Sequence, residues 1–358
     1  MNPAHRILML KGLGVSGALV LSLACGGAFI AIIGSDPFAI YFQMFSESLG
    51  NPYGVGQILY KATTFMFTGL SVAVCFRTGF FNIGAEGQLM VGGLCMAVAG
   101  FSFTGLPSVA HVPLCILAGM AGGAVWGFIP GYLKARFGAH EVINTIMLNF
   151  IAAALISYFV NTVFAVPATV HTPSIEGSAE LSRLENLFAI FRGSPVNFSL
   201  FLALVAVGLV HYLLSSTPFG YELRAIGLNP AAAECAHINV ALRTMGVTAF
   251  SGSLAALGSA NFVLGYKHYY EIGFADGAGF MGIAVALLAN NRPLAIPFAA
   301  LFFGMLDYGG LTINTLVPKE LVNILQAIVI IMIVVSMKLM DRWLPHFEKS
   351  HLAPTIDG

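Results

Sequence analysis

VPLCILAGMAGGAVWGFIPGYL, residues 112–133, is a run of 22 residues without a charged side chain. A helix needs about 20 predominantly apolar residues to cross the hydrocarbon of a bilayer, and this stretch is long enough. Within it Gly119, Gly123, Gly127 and Gly131 recur at every fourth position, which at about 3.6 residues per turn places them on one slowly drifting face. Small residues at that spacing let helix backbones approach closely, and such packing holds helices together where lipid is as apolar as the protein. The stretch predicts a membrane helix whose glycine face seats on another helix, and it says nothing of a substrate.

The rest of the chain has the same character. Of 358 residues, 58% are hydrophobic and 9% charged, whereas a soluble chain carries about 25% charged residues. Ten apolar runs separated by polar or Gly/Pro breaks lie near residues 10–33, 57–76, 88–104, 112–133, 142–166, 197–214, 243–264, 278–291, 293–309 and 320–338. The expected fold is therefore an all-α membrane protein of about ten transmembrane helices. The eighth and ninth runs are short and also read as broken helices or one re-entrant pair. The first is longer than the apolar region of a signal peptide and lacks a small-residue cleavage site, so it reads as an uncleaved span.

Charge sets the orientation. With the N-terminus inside and ten crossings, Arg6, Lys11, Arg77, Lys134, Arg136, Arg224, Arg243, Arg292, Lys338, Arg342 and Lys349 fall on the cytoplasmic side. Lys61, Arg183, Arg192, Lys267 and Lys319 fall outside. That asymmetry places both termini in the cytoplasm. The largest outer loop, about 167–196, contains Glu176, Glu180, Glu185 and three prolines. It is too short for a catalytic domain and suits a partial lid or docking surface.

Several functions are excluded or weakened. Net charge is zero, with 16 basic and 16 acidic residues, and no basic run could follow a phosphate backbone, so nucleic acid is not an expected partner. Cys25, Cys75, Cys95, Cys115 and Cys235 lie in or beside apolar runs without a C-x-x-C pair and read as small buried hydrophobes. No cluster suggests a metal site. The only Lys followed by Ser or Thr is Lys349, with no glycine loop before it, so the chain has no P-loop for ATP.

Three polar segments interrupt the apolar pattern. FRTGFFNIGAEGQ, residues 76–88, interleaves Arg77, Asn82, Glu86 and Gln88 with Gly79, Gly84 and Gly87. Two readings are open: a cytoplasmic turn, or a broken helix touching a pathway, since polar backbone at membrane depth must be satisfied by protein or by a wet cavity. AHEVINTIMLN, residues 139–149, spaces Glu141, Thr145 and Asn149 four apart, and Ser157 and Asn161 continue the series. This stripe fits either pathway lining or hydrogen bonding between helices. TPFGYELRAIGLNPAAAECAHINV, residues 217–240, offers Asn229 as an N-cap and Pro230 at the first helical position. It predicts a short helix over about 230–238, outside the bilayer and packed on a partner, because so short a helix is marginal alone.

Together these segments resemble the membrane-spanning permease subunits of bacterial ABC importers, in the branch of the ribose-type and branched-chain amino-acid permeases. The pattern G-Y-x-x-R-A-x-G-x-N-x-x-A-A, here Gly220, Tyr221, Arg224, Ala225, Gly227, Asn229, Ala232 and Ala233, is most similar to nucleoside permeases of that branch. The resemblance runs over about 55–340. It implies one transmembrane permease domain over 1–358 in the bacterial cytoplasmic (inner) membrane, importing nucleosides. The implied partners are an ABC ATPase, a second permease (identical or homologous), an extracytoplasmic substrate-binding protein and membrane lipid. ATP and Mg would sit on the ATPase, with no cofactor and no catalysis on this chain. The 217–240 segment, with Pro230, would be the ATPase-coupling helix. Asn82, Glu86, Gln88, Glu141, Thr145 and Asn149 would lie near the translocation pathway.

An inverted repeat would pair spans two to five with seven to ten; the Gly-rich breaks near 79–87 and 273–282 fall near the starts of spans three and eight. Other readings keep the same hydropathy. A permease of this type could carry a monosaccharide or another small polar solute. An ion-coupled carrier would use Glu86, Glu141 or Asp307 as coupling acids. A membrane enzyme would need a constellation such as Glu271, Asp276 and His268.

Overall fold

A computed structural model describes residues 17, 20–32, 34–314, 316, 322–332, 335, 336 and 339. Both termini, and the charges at Arg6, Lys11, Lys319, Lys338, Arg342 and Lys349, lie outside the described residues, as do the ends of the first and tenth apolar runs. Among the described residues every regular element is helical; the only β features are the isolated bridges His171–Glu271 and Arg183–Asn197.

Two compact units make up the chain, residues 1–47 with 309–358, and Ser48–Tyr308. In the first, α1 (Val20–Ile32) and α2 (Pro37–Leu49) are bent by 119° at the break between them. Asp36 accepts from the Phe38 N–H at 2.9 Å and Pro37 opens α2, a start that suits the fixed φ of proline. The Tyr41 hydroxyl donates to the Leu23 carbonyl at 2.7 Å. A further apolar helix, Val322–Met332, belongs to the same unit; a Cβ on Gly26 would meet its Leu325 Cδ1 at 2.7 Å. The turn at 34–36 and α2 depart from the sequence reading, which ended its first apolar run at 33.

The second unit contains α3 (Pro52–Phe76), α4 (Ala85–Ser102), α5 (Ser108–Phe137), α6 (Glu141–Tyr158), α7 (Ser199–Ser216), α8 (Pro218–Leu228), α9 (Pro230–Cys235), α10 (Val240–Leu257), α11 (Ala278–Leu288) and most of α12 (Ile296–Thr312). A π-helical turn extends α6 to Val163, and further helical turns carry α10 on to Lys267. Boundaries follow local chemistry. Asn51 caps α3 by accepting from Gly54 N–H at 2.6 Å, with Pro52 behind it. Gly138, at φ 66°, ends α5 in the left-handed region that glycine enters freely.

Among the described residues six helices are long and apolar enough to cross a membrane, or seven if the bent α1–α2 pair is one span. Each of the ten apolar runs contains a described helix, and α11 is one of the short ones. Burial ranks the six. In α3 and in the Val240–Lys267 rod 78% of the apolar window is inside the protein, against 22% in α5 and in the α6 span. The first pair forms the interior, and the second presents most of its apolar surface outward.

The glycine face of 112–133 seats on α10. A Cβ on Gly123 would collide with the Gly252 carbonyl, one on Gly127 with the Thr248 carbonyl, and one on Gly131 with the Thr248 hydroxyl. Thr248, Gly252 and Ala256 repeat the four-residue spacing on α10. Gly119, at the far end of the face, instead meets Met96 of α4. The cysteines are buried only in part: Cys75 and Cys115 are buried and Cys25 and Cys95 half-buried, but Cys235 is exposed at the end of α9, where a helix of six residues has too little bulk to cover it.

Candidate functional site: a junction of half-helices and an exposed elbow

The segment 77–84 turns back into the unit instead of lying in solvent. Gly79, at φ +74°, makes the reversal, and Phe80 and Asn82 are 4% and 1% exposed. Asn82 and Gln88 exchange amide hydrogen bonds at 3.0 and 3.3 Å, Asn82 Nδ2 also donates to Ser251 Oγ at 2.9 Å, and Asn82 Oδ1 accepts from Gly84 N–H. Ser251 Oγ in turn donates to the Ser71 carbonyl at 2.7 Å. One small network therefore ties α3, the 77–84 turn, α4 and α10 together. Each member is satisfied within the protein, as buried polar groups must be.

Where α4 begins, α11 begins too. The Glu86 carboxylate, in the first turn of α4, accepts from Gly277 N–H at 3.0 Å and from Gly279 N–H at 2.6 Å. A Cβ on Gly279 would strike the backbone of Glu86, so glycine is what allows the two helix starts to abut. Helix N-termini carry exposed N–H groups and a partial positive charge. Two facing starts repel, and one carboxylate between them meets both demands. Asn149 of α6 completes the junction, accepting from Gly87 N–H at 2.9 Å and donating to the Ile83 carbonyl at 3.0 Å. The breaks near 79–87 and 273–282 thus come together in space.

The stripe on α6 is not of one kind. Asn149 bonds between helices, Thr145 is buried and donates to the carbonyls of Glu141 and Val142 in its own helix, and Glu141 pairs with Lys134 Nζ at 2.6 Å. Ser157 and Asn161 are exposed and bond to one another.

At the end of α7 the chain turns through α8 and α9, two helices where the sequence reading placed one. Thr217 caps α8 by accepting from Gly220 N–H at 3.3 Å, with Pro218 at N1. Asn229 ends α8 and caps α9, accepting from Ala232 N–H at 3.2 Å, with Pro230 at N1. The second helix closes at Cys235, shorter than the expected 230–238, because His237 takes φ 61°. The motif glycines have a geometric purpose. A Cβ on Gly220 would strike the carbonyls of Leu213 and Leu214, and one on Gly227 the carbonyl of Arg77. Arg224 donates to the Leu214 carbonyl, and Glu222 pairs with Arg243. Leu223, Ile226 and Ala233 face inward, while Tyr221 and Leu228 are 63% and 88% exposed and Pro230, Ala231 and Ala232 are exposed too. Ala225 is half-buried between these faces.

Residues 54–334 match the model of a family described as branched-chain amino acid transport system / permease component. The chain belongs to that family. It is 38% identical over 325 residues to the guanosine ABC transporter permease protein NupP of Bacillus subtilis (strain 168), covering 89% of this chain and 92% of the relative. It is 33% identical to the nucleoside ABC transporter permease protein NupB of Lactococcus lactis subsp. cremoris (strain MG1363), over 89% of each. It is also 32% identical to the glucose ABC transporter permease protein TsgB13 of Haloferax volcanii, over 89% of this chain and 86% of that one.

In this permease the acids considered for other chemistries are engaged. Glu86 holds two backbone N–H groups, Glu141 pairs with Lys134, and Asp307 of α12 pairs with Lys61 of α3 at 2.9 Å. His268 lies 3.9 Å from Glu180, and the backbone of Glu271 bridges His171. The sequence reading missed Ser251 and a second buried polar knot. There Asn261 donates to the Tyr60 carbonyl and Thr64 hydroxyl, and accepts from Asn197 and Ser199. The available signal was an asparagine inside the apolar run 243–264, since intramembrane polar side chains seek partners.

Proposed function

We propose that this chain is a permease subunit of an ATP-driven importer of nucleosides in the bacterial cytoplasmic membrane, crossing it about ten times with both termini in the cytoplasm. The reading is carried by one observation: likeness to guanosine and nucleoside permeases over nine-tenths of both chains. In this reading α8 and α9 form the coupling element seated on a separate ATPase, which binds ATP and Mg. Gly220, Ala225, Gly227 and Ala233 fit its inner side to the permease, Arg224 and Asn229 hold its shape, and Tyr221, Pro230 and Ala232 meet the ATPase. A second permease, identical or homologous, completes the pathway, and an extracytoplasmic binding protein delivers the solute.

Closure of the ATPases would move the elbow and, through the Gly227–Arg77 contact, the 77–84 turn. Asn82, Glu86, Gln88 and Asn149 would then act at the pathway wall by holding the starts of α4 and α11, with Glu141 and Thr145 on the adjoining helix. Exchange between two packed arrangements is the usual means of such switching. Likeness to ABC transporter permeases supports this reading over an ion-coupled carrier.

The test is uptake of labelled guanosine by cells expressing the chain with its ATPase and binding protein. Uptake should need the ATPase and be competed by unlabelled nucleosides but not by glucose. Ala232→Pro removes the N–H that Asn229 caps and should abolish uptake while leaving membrane insertion intact. Uptake without the ATPase would overturn the mechanism. ATPase-dependent uptake of labelled glucose without uptake of guanosine would favour the second reading, a sugar permease, for which the Haloferax relative is the observation.

A further inference from the structure

Arg77, Arg224 and Arg292 converge on one cavity of about 490 Å³. Arg77 follows the last residue of α3, Arg224 lies in α8 just beyond α7, and Arg292 immediately precedes the Pro293 turn that opens α12. All three sit where spans end. No Asp or Glu lines the cavity, and none of the three arginines makes an ion pair among the described residues.

Their hydrogen bonds do not neutralise them. Arg77 Nη2 donates to the Asn291 carbonyl at 2.8 Å and Arg224 donates to the Leu214 carbonyl. Arg77 Nε is buried without a partner. Burial, then the like charges of Arg224 and Arg292, push the Arg77 guanidinium down from its ordinary value. Arg292 is exposed and Arg77 and Arg224 are half-buried, so three cations without an acidic partner line one open recess, and a recess of one sign attracts an anion.

The opposite wall identifies the anion. Besides the arginines, His211 and Ser215, the lining is apolar (Leu214, Pro293, Leu294, Ala295 and Phe298), and Leu294 and Phe298 are 54% and 75% exposed at the start of a helix apolar enough to span a bilayer. A soluble anion gains nothing from that rim. Acyl chains do, and basic pockets between membrane helices are suited to lipid headgroups.

We propose that this cavity binds the phosphodiester headgroup of an anionic phospholipid, with the three arginines on the phosphate and the acyl chains along Leu294 and Phe298. The site needs only that these helices lie in a membrane. It does not depend on the transported solute, so its failure and failure of the nucleoside reading are separate results.

The test is native mass spectrometry of the delipidated complex of this chain with its ATPase, offered dioleoylphosphatidylglycerol or dioleoylphosphatidylcholine. Phosphatidylglycerol should be retained in preference, and the preference should fall about fivefold for each of Arg77→Gln and Arg292→Gln. Arg292→Lys should keep most of it. Equal retention of the two lipids, or an unchanged preference in both Gln variants, would overturn the proposal. Displacement of phosphatidylglycerol by inorganic phosphate would make this a free-anion site instead. Loss of the ATPase from the Arg292→Gln complex with lipid retention unchanged would make it a seat for a partner carboxylate.

Discussion

Along the α5–α10 seam Gly123 and Gly252 each face the other's carbonyl, whereas in the elbow Gly220 and Gly227 face the carbonyls of Leu214 and Arg77 while the outer side of α8 and α9 stays exposed. Both regions use glycine to bring backbone onto backbone. The seam is closed on both sides by this chain. The elbow is closed on one side only, so its inner half is built like a core and its outer half like an uncovered interface. Damage to the seam should therefore cost folding, and damage to the outer elbow should cost engagement of another protein while leaving the fold intact.

The sharpest way to break this contrast is Gly123→Leu. A side chain there must displace the Gly252 carbonyl and Ala256 Cβ, neither of which is a flexible tip. Overpacking of this kind costs about 1–3 kcal/mol and occasionally more. The expected outcome is a large loss of detergent-stable protein, measured by size-exclusion yield and melting temperature. Wild-type yield and melting would show that the seam is loose, and the contrast with the elbow would fail.

A smaller effect is expected at the junction. Glu86→Ala leaves the N–H groups of Gly277 and Gly279 without their acceptor. Only the Gly279 N–H is buried, whereas Gly277 is half-buried and open to water, so about one buried group is left unsatisfied, at roughly 1–3 kcal/mol with no backbone forced to move. Glu86→Gln keeps one carbonyl acceptor and should lie between Ala and wild type in melting temperature. An Ala variant as stable as wild type would mean that Glu86 is not what holds the two helix starts together.

These regions also differ in how far the sequence revealed them. The seam was legible because its signal is local: four glycines at one spacing inside one apolar run. The N-terminal end of α9 was legible for the same reason, since Asn229 and Pro230 are adjacent. Its partner α8 was not, because its apolar inner positions Leu223 and Ile226 fall in a stretch too short and too polar to show a period. The α1–α2 bend hid behind a Gly-Ser-Asp break that resembles an ordinary loop. At the junction Glu86 was visible as an intramembrane acid, but its partners lie 191 and 193 residues away. Backbone N–H groups leave no mark in the residue types. The arginine cavity is likewise assembled from three distant stretches, the end of α3, the helix α8 and the start of α12, each of which alone looks like a cytoplasmic flank.

The least disruptive probe of the contrast is Cys235, the exposed cysteine at the end of α9, against Cys75 and Cys115 inside the helices. Surface substitutions away from special features change stability by about 0.5 kcal/mol or less, so Cys235→Ser should melt and transport like wild type. A membrane-impermeant maleimide should label wild-type protein in inside-out vesicles and leave the Cys235→Ser variant largely unlabelled. Bound ATPase should slow the labelling, because α9 would then be covered on its outer side. Undiminished labelling with the ATPase bound would place its seat elsewhere, and labelling only from the outer face of the membrane would invert the topology. Slowed labelling together with an unstable Gly123→Leu variant would assign the two glycine-built surfaces to different tasks: one holds this chain to itself, and the other holds it to its partner.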